Sequence, residues 1–202
     1  MATAELTQRA LLEDCARELE KISEEARRLA GSLSEEQLRW VPPDGGCWVP
    51  PDGGWSVAQI FDHLARANGS YLPGIRAAIA RQRGDNTARS GAPWKPTLFG
   101  RMLVRSLDPS STRALPAPRI WRPSTEASPR ALEAFLESQT AIAELVRDAE
   151  AIDLNRARLS SPANRFIRLN VGDAFRVFVV HDWRHLGQVR RVMTRAGFPA
   201  TG

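Results

Sequence analysis

The 202-residue chain contains three histidines, and their placement is the first chemistry its sequence offers. His181 and His185 stand four residues apart in the stretch NVGDAFRVFVVHDWRHLGQVRRVMTRA, residues 170–196. In a helix that spacing sets two imidazoles one turn apart on one face, where both can reach a single ion. Val171, Ala174, Phe178, Gln188 and Val192 share the face at alternating steps of three and four, so the pair is expected to point into a core. His63 lies on a second apolar stripe, with Ile60, Leu64, Ala67 and Tyr71. A lone buried histidine needs only a carbonyl for one ring nitrogen. Three imidazoles in an apolar interior need partners together, and a shared divalent ion satisfies them at once. Three neutral imidazoles leave coordination positions open on zinc, nickel, iron or manganese, with zinc or nickel the first expectation. Such an ion can acidify a bound water, or bind a thiolate and orient it for attack.

Asp62 and Asp182 each precede one of these histidines. They point about 100° away round the helix, and they read first as surface residues and second as partners for the ligand rings. The run His181-Asp182-Trp183-Arg184-His185 lacks the internal glutamate of a metalloprotease helix. No Ser-His-Asp or Cys-His arrangement competes for the histidines, and no residue is assigned a catalytic role beyond them.

The elements that must carry the triad follow from the same periodicity. Leu12, Cys15, Leu19, Ile22, Ala26, Leu29 and Leu33 predict a long amphipathic helix from Thr3 to about Leu33. Ser34 to Gln37 offers a capping box for a short turn of helix ending near Trp40. WVPPDGG then occurs twice, at Trp40–Gly46 and Trp48–Gly54, separated by Cys47; its prolines and glycines oppose helix and strand, so it reads as a duplicated surface loop. Ser56 and Gln59 form a capping box for the second helix, which carries His63, meets a proline at Pro73 and ends before Gly84. Residues 84–124 are irregular, with one short helix at Leu98 to Leu107. Trp94, Phe99, Met102 and Trp121 in that insertion either cover a pocket or strap the outside of the bundle. A third helix runs from Pro129 to Ala149, with Leu132, Phe135, Leu136, Gln139, Ile142, Ala143 and Val146 inward. A polar connection, Ile152 to Leu169, leads to the last helix, capped by Asn170 and Asp173 and stopped by Gly197-Phe198-Pro199. No sustained period-two alternation is visible, so strands are expected to be few or absent. The sum is one all-α domain over residues 1–202: a four-helix bundle with a long crossover between helices 2 and 3.

Composition agrees with a soluble globular domain: 43% apolar and 25% charged residues, and a formal charge of +5 from 28 Lys and Arg against 23 Asp and Glu. The basic residues are scattered, without the dense basic run and aromatic platform of a nucleic-acid binder, so no nucleic-acid partner is expected. No apolar run approaches the roughly 18 to 20 residues that cross a bilayer. The N-terminus lacks the basic and apolar regions of a signal peptide, and Cys15 and Cys47 fit no disulfide framework, so a cytoplasmic location is the expectation.

GWSVAQIFDHLARANGSYLPGI at Gly54 to Ile75 and HDWRHLGQVRRV at His181 to Val192 together resemble the DinB-like superfamily, the DinB/YfiT group. The resemblance implies a four-helix bundle holding a divalent metal through one histidine of the second helix and an H-x-x-x-H pair of the last, here His63, His181 and His185. It also implies dimers, and activities that include transfer of low-molecular-weight thiols such as bacillithiol or mycothiol. The expectation is therefore a metal-dependent thiol S-transferase that joins a small thiol to an electrophilic small molecule. A non-catalytic metal- or partner-binding bundle is the competing reading. Arg165 and Arg168 read first as solvated connector residues and second as contacts for a carboxylate on the thiol or substrate.

Overall fold

The structure, a computed structural model, describes residues 6–42, 54–84, 92–110 and 116–200. Six α-helices carry it: α1 (Gln8–Ala30), α2 (Glu35–Arg39), α3 (Val57–Gly84), α4 (Leu98–Ser106), α5 (Ala131–Asp148) and α6 (Val171–Met193). The long four form the bundle. Their principal packing runs round a ring, α1 on α6, α6 on α3, α3 on α5 and α5 on α1, so α5 and α6 face each other across a diagonal. Ile60, Phe61, Leu64, Phe135, Ile142 and Phe175 fill the centre with almost no exposure. Each contributes about 1.5–3 kcal/mol of transfer free energy on burial.

Local signals set the helix ends. Ser34 and Gln37 exchange side-chain and backbone hydrogen bonds at the start of α2, Ser56 and Gln59 do so at α3, and Asn170 and Asp173 at α6. The first helix stops at Ala30, short of the predicted Leu33, with the Gly31 amide donating the last helical hydrogen bond to the Arg27 carbonyl. Pro73 does not interrupt α3, which runs through it to Gly84. Most of the duplicated WVPPDGG loop, with Cys47, lies outside the described residues.

Among the described residues the few strands expected lie between α5 and α6. The polar connection contains a two-stranded antiparallel hairpin, β1 (Arg158–Ser161) and β2 (Asn164–Asn170), with an irregularity at Ser160/Ser161. Leu159 and Leu169 turn inward while the arginines stay exposed. With so few inward positions, period two never becomes conspicuous in the sequence. The hairpin is tied to α3 by the Tyr71 hydroxyl and Ser161 Oγ at 2.9 Å, and β2 passes directly into α6 through Asn170.

The crossover is pinned at both ends. At its start Trp94 Nε1 donates to Asn170 Oδ1 at 3.2 Å, and the Thr97 hydroxyl donates to Asp173 Oδ2 at 2.7 Å. At its end the Ser124 amide donates to Asp62 Oδ2 at 2.7 Å, and Trp121 Nε1 donates to Ser70 Oγ at 2.9 Å. Between these pins α4 lies across α6 and β2. No described helix is long and apolar enough to cross a membrane.

Candidate metal centre

His63 on α3 and His181 and His185 on α6 come together because the two helices pack side by side with their apolar stripes facing. One ligand nitrogen from each ring lies within 4.8 Å of the other two. His63 Nε2 and His181 Nε2 are 3.2 Å apart. Two nitrogens on one tetrahedral ion at about 2.05 Å would stand roughly 3.3 Å apart, so the observed spacing fits a shared ion.

The far sides of two rings are occupied. His63 Nδ1 donates to the Trp121 carbonyl at 2.7 Å. A carbonyl only accepts, so the proton is on Nδ1 and Nε2 presents a lone pair. His185 Nδ1 lies 2.8 Å from Gln188 Oε1, and the same reasoning leaves its Nε2 as an acceptor. Outer hydrogen bonds of this kind fix the orientation and tautomer of a ligating imidazole. Burial, then the neighbouring His181, pushes the His63 pKa down to about 3, with the Trp121 carbonyl opposing. His185 lies well below the usual histidine value, for burial first and then His181 and His63, against its hydrogen bond to Gln188. Both rings are therefore neutral at pH 7, the state a metal needs.

Asp182 corrects the sequence reading: it is fully buried, not a surface residue. Its carboxyl accepts from Gln139 Nε2 at 2.7 Å and from Asn68 Nδ2 at 3.4 Å, and Oδ1 lies 3.7 Å from His181 Nδ1. The cause is the diagonal. α5 and α6 face each other across the bundle, so Gln139 reaches Asp182 through the middle. Asn68 and Gln139 turn their N–H groups to this carboxyl and leave Asn68 Oδ1 and Gln139 Oε1 buried without hydrogen bonds. Asp62 is half-buried, paired with Arg66 at 2.9 Å and capping the Ser124 amide.

A cavity of about 330 Å³ opens beside the triad. Tyr71, Phe178, Trp121 and Ile167 are among its walls, and Leu107 and Pro118 of the crossover close part of it. The two readings of the insertion thus both hold: it straps the bundle, and its Trp121 lines the pocket. Trp94 and Phe99 pack against the core edge, while Met102 is exposed. Trp55 shields the centre, its ring 4.9 Å from that of His63 and stacked on that of His185 at 6.3 Å. Arg165 and Arg168 are exposed on the hairpin and line none of it. Sequence reasoning gave no role to Arg184, a pocket-lining residue only 4% exposed, nor to the Trp121 carbonyl. It placed Gln188 on the histidine stripe without assigning it a partner, although a glutamine on an apolar stripe three residues from a histidine was the available signal.

The whole chain is similar in fold to YfiT from Bacillus subtilis, described as a probable metal-dependent hydrolase with an unusual four-helix bundle topology. The two share 14% sequence identity at a TM-score of 0.59, over 98% of this chain and 94% of that one. No curated protein matches the sequence. Residues 18–189, the span that holds most of the bundle and all three histidines, match the profile of the DinB superfamily, and the chain belongs to that superfamily.

Proposed function

We propose that His63, His181 and His185 hold a divalent metal ion, and that the protein is a metal-dependent enzyme transferring a low-molecular-weight thiol onto an electrophilic small molecule. The observation that carries this is the convergence of three imidazoles, two with their outer nitrogens already engaged, at the wall of an apolar cavity. An ion held there supplies a Lewis acid that keeps a thiol sulfur as its thiolate at neutral pH. The chain's own residues do the rest. The Trp121 carbonyl and Gln188 orient the rings, Trp55 keeps water from them, and the Tyr71 and Phe178 walls receive the apolar part of the electrophile. In the transfer a sulfur–carbon bond forms as the bond from that carbon to its leaving group breaks, and the thiol proton goes to solvent.

Likeness to YfiT favours hydrolysis as a second reading. An ion at the triad would acidify a bound water as readily as it would hold a thiolate, so the two readings share the site and differ in the nucleophile.

Elemental analysis of untagged protein, beside the His63→Ala and His181→Ala variants, tests the metal. About one divalent ion per chain, lost in both variants, is the expected result. Unchanged metal content in His181→Ala overturns the site. The metal-loaded protein is then assayed for thiol consumption with a panel of small thiols and electrophiles; water-dependent cleavage without thiol consumption would replace transfer by hydrolysis.

A further inference from the structure

The cavity wall carries a pair of hydroxyls that neither ligation nor shielding uses. Tyr71 of α3 and Ser161 of β1 both line it, and each is 5% exposed. Their oxygens stand 2.9 Å apart, and among the described residues that is the one hydrogen bond either hydroxyl makes. Each hydroxyl carries one hydrogen, so the pair holds two and the bond between them spends one. The second has no acceptor among the described residues. Burial raises the Tyr71 phenol above its ordinary pKa, with the Ser161 bond opposing, so it keeps its hydrogen at neutral pH. The wall is continuous from this pair to the triad. The Trp121 ring lies 5.8 Å from that of Tyr71, while the Trp121 carbonyl accepts from His63 Nδ1. Tyr71 follows His63 on α3 by eight residues, about 12 Å along the helix axis. The cavity therefore has imidazoles at one end and a spare hydroxyl hydrogen at the other.

A buried donor without an acceptor is costly, so an occupant of the cavity that supplies the acceptor is favoured there. One donor satisfies a carbonyl or ether oxygen. A carboxylate offers about four lone-pair sites and would stay largely bare against a single hydroxyl. We infer that Tyr71 and Ser161 together recognise an uncharged acceptor oxygen, and that the electrophile is an elongated, mainly apolar molecule carrying a carbonyl or ether oxygen away from its reacting carbon. The inference rests on the cavity being the substrate site, as proposed above. The hydroxyl pair donates one hydrogen bond to that oxygen, the apolar body lies against Phe178 and Trp121, and the reacting end reaches the histidines.

The test uses two probes of nearly equal shape, 4-phenylbutan-2-one and 2-methyl-4-phenylbut-1-ene, in which a methylene group replaces the carbonyl oxygen. Each is titrated into the full chain as isolated and after chelation. Either hydroxyl alone can still donate, so the variant removes both, Tyr71→Phe with Ser161→Ala. The expected result is that the ratio of ketone to alkene affinity falls roughly three- to tenfold in it, the scale of one neutral hydrogen bond, with alkene affinity and metal content unchanged. Tyr71 is the chain's only tyrosine, so tyrosine labelled with carbon-13 at Cζ gives a single resonance. In the native chain that resonance should differ between the ketone-bound and alkene-bound forms. Tyr71 feels the new bond directly or through Ser161, because linked hydrogen bonds polarise one another. This comparison decides the matter even if the double variant does not fold. An unchanged ratio, coincident resonances or no binding of either probe overturns the inference. So does an equal loss of affinity for both probes, which would mean that the pair only ties the hairpin to α3. A ketone preference that vanishes on chelation overturns it as well, by placing the carbonyl on the ion. Metal content is measured separately, so a chain that binds no metal yet shows the expected ratio sinks the metal proposal and leaves this one standing.

Discussion

Acid should unfold the metal-free protein by way of the triad. His63 is held neutral down to about pH 3, while the same ring in the unfolded chain titrates at the ordinary histidine value of 6.5. The folded pKa is the lower one, so the unfolded state binds more protons throughout that window. Stability is therefore full above about pH 6.5 and falls as the pH drops, with a limiting slope of about 1.4 kcal/mol per pH unit for each such histidine. At about pH 5, protonation of the unfolded ring alone is worth roughly 2 kcal/mol, against about 0.1 kcal/mol at pH 7.5. His185 is shifted in the same direction and adds to the loss. A net stability of about 5–15 kcal/mol makes this a large fraction of the total. The assay is urea unfolding, after chelation, of the native chain and of His63→Gln, each at about pH 7.5 and pH 5. The native chain should lose roughly 2 kcal/mol more than the variant between the two conditions. Equal losses would refute the reasoning, because they would show that His63 is not held neutral by its burial.

Three further outcomes follow from other parts of the structure. Gln188→Ala removes the acceptor for His185 Nδ1 and should weaken metal affinity about 10- to 100-fold without abolishing it, as read by competition with a chelating dye; unchanged affinity would mean that Gln188 does not set the ring. Gly100→Ala drives a methyl group onto the buried Asp173 carboxyl that anchors Thr97, and should cost about 1–3 kcal/mol, whereas Gly69→Ala, with nothing within 4 Å, should stabilise α3 by about 0.5–1 kcal/mol. Thermal melts check both, and a Gly100→Ala protein as stable as the native chain would show that α4 does not need its close approach to α6.

The stripe of Val171, Ala174, Phe178, His181, His185 and Gln188 was readable from spacing alone, because a helix turns by a fixed angle per residue and needs no partner to define its faces. The caps at Ser34, Ser56 and Asn170 were readable for the same reason, since each closes a hydrogen bond within four residues. Those local rules determined four long helices, a mostly helical fold and the inward placement of three histidines. What lay beyond them depended on segments far apart in sequence. That Asp182 is buried follows from α5 lying diagonally opposite α6, with Gln139 reaching it from 43 residues away. That His63 has a fixed tautomer follows from a carbonyl 58 residues downstream. That Arg184 faces the cavity follows from where the crossover settles, for an arginine among helical neighbours carries no periodic mark of what will cover it. The hairpin between α5 and α6 escaped notice because a few inward residues flanked by arginines give too short an alternation to read, and only pairing of β1 with β2 against α3 made it a sheet. The sequence by itself thus determined which side chains could meet a metal. Tertiary packing decided what holds their rings, what covers them and which charge shares their cavity, because each of those contacts joins residues that no local periodicity relates.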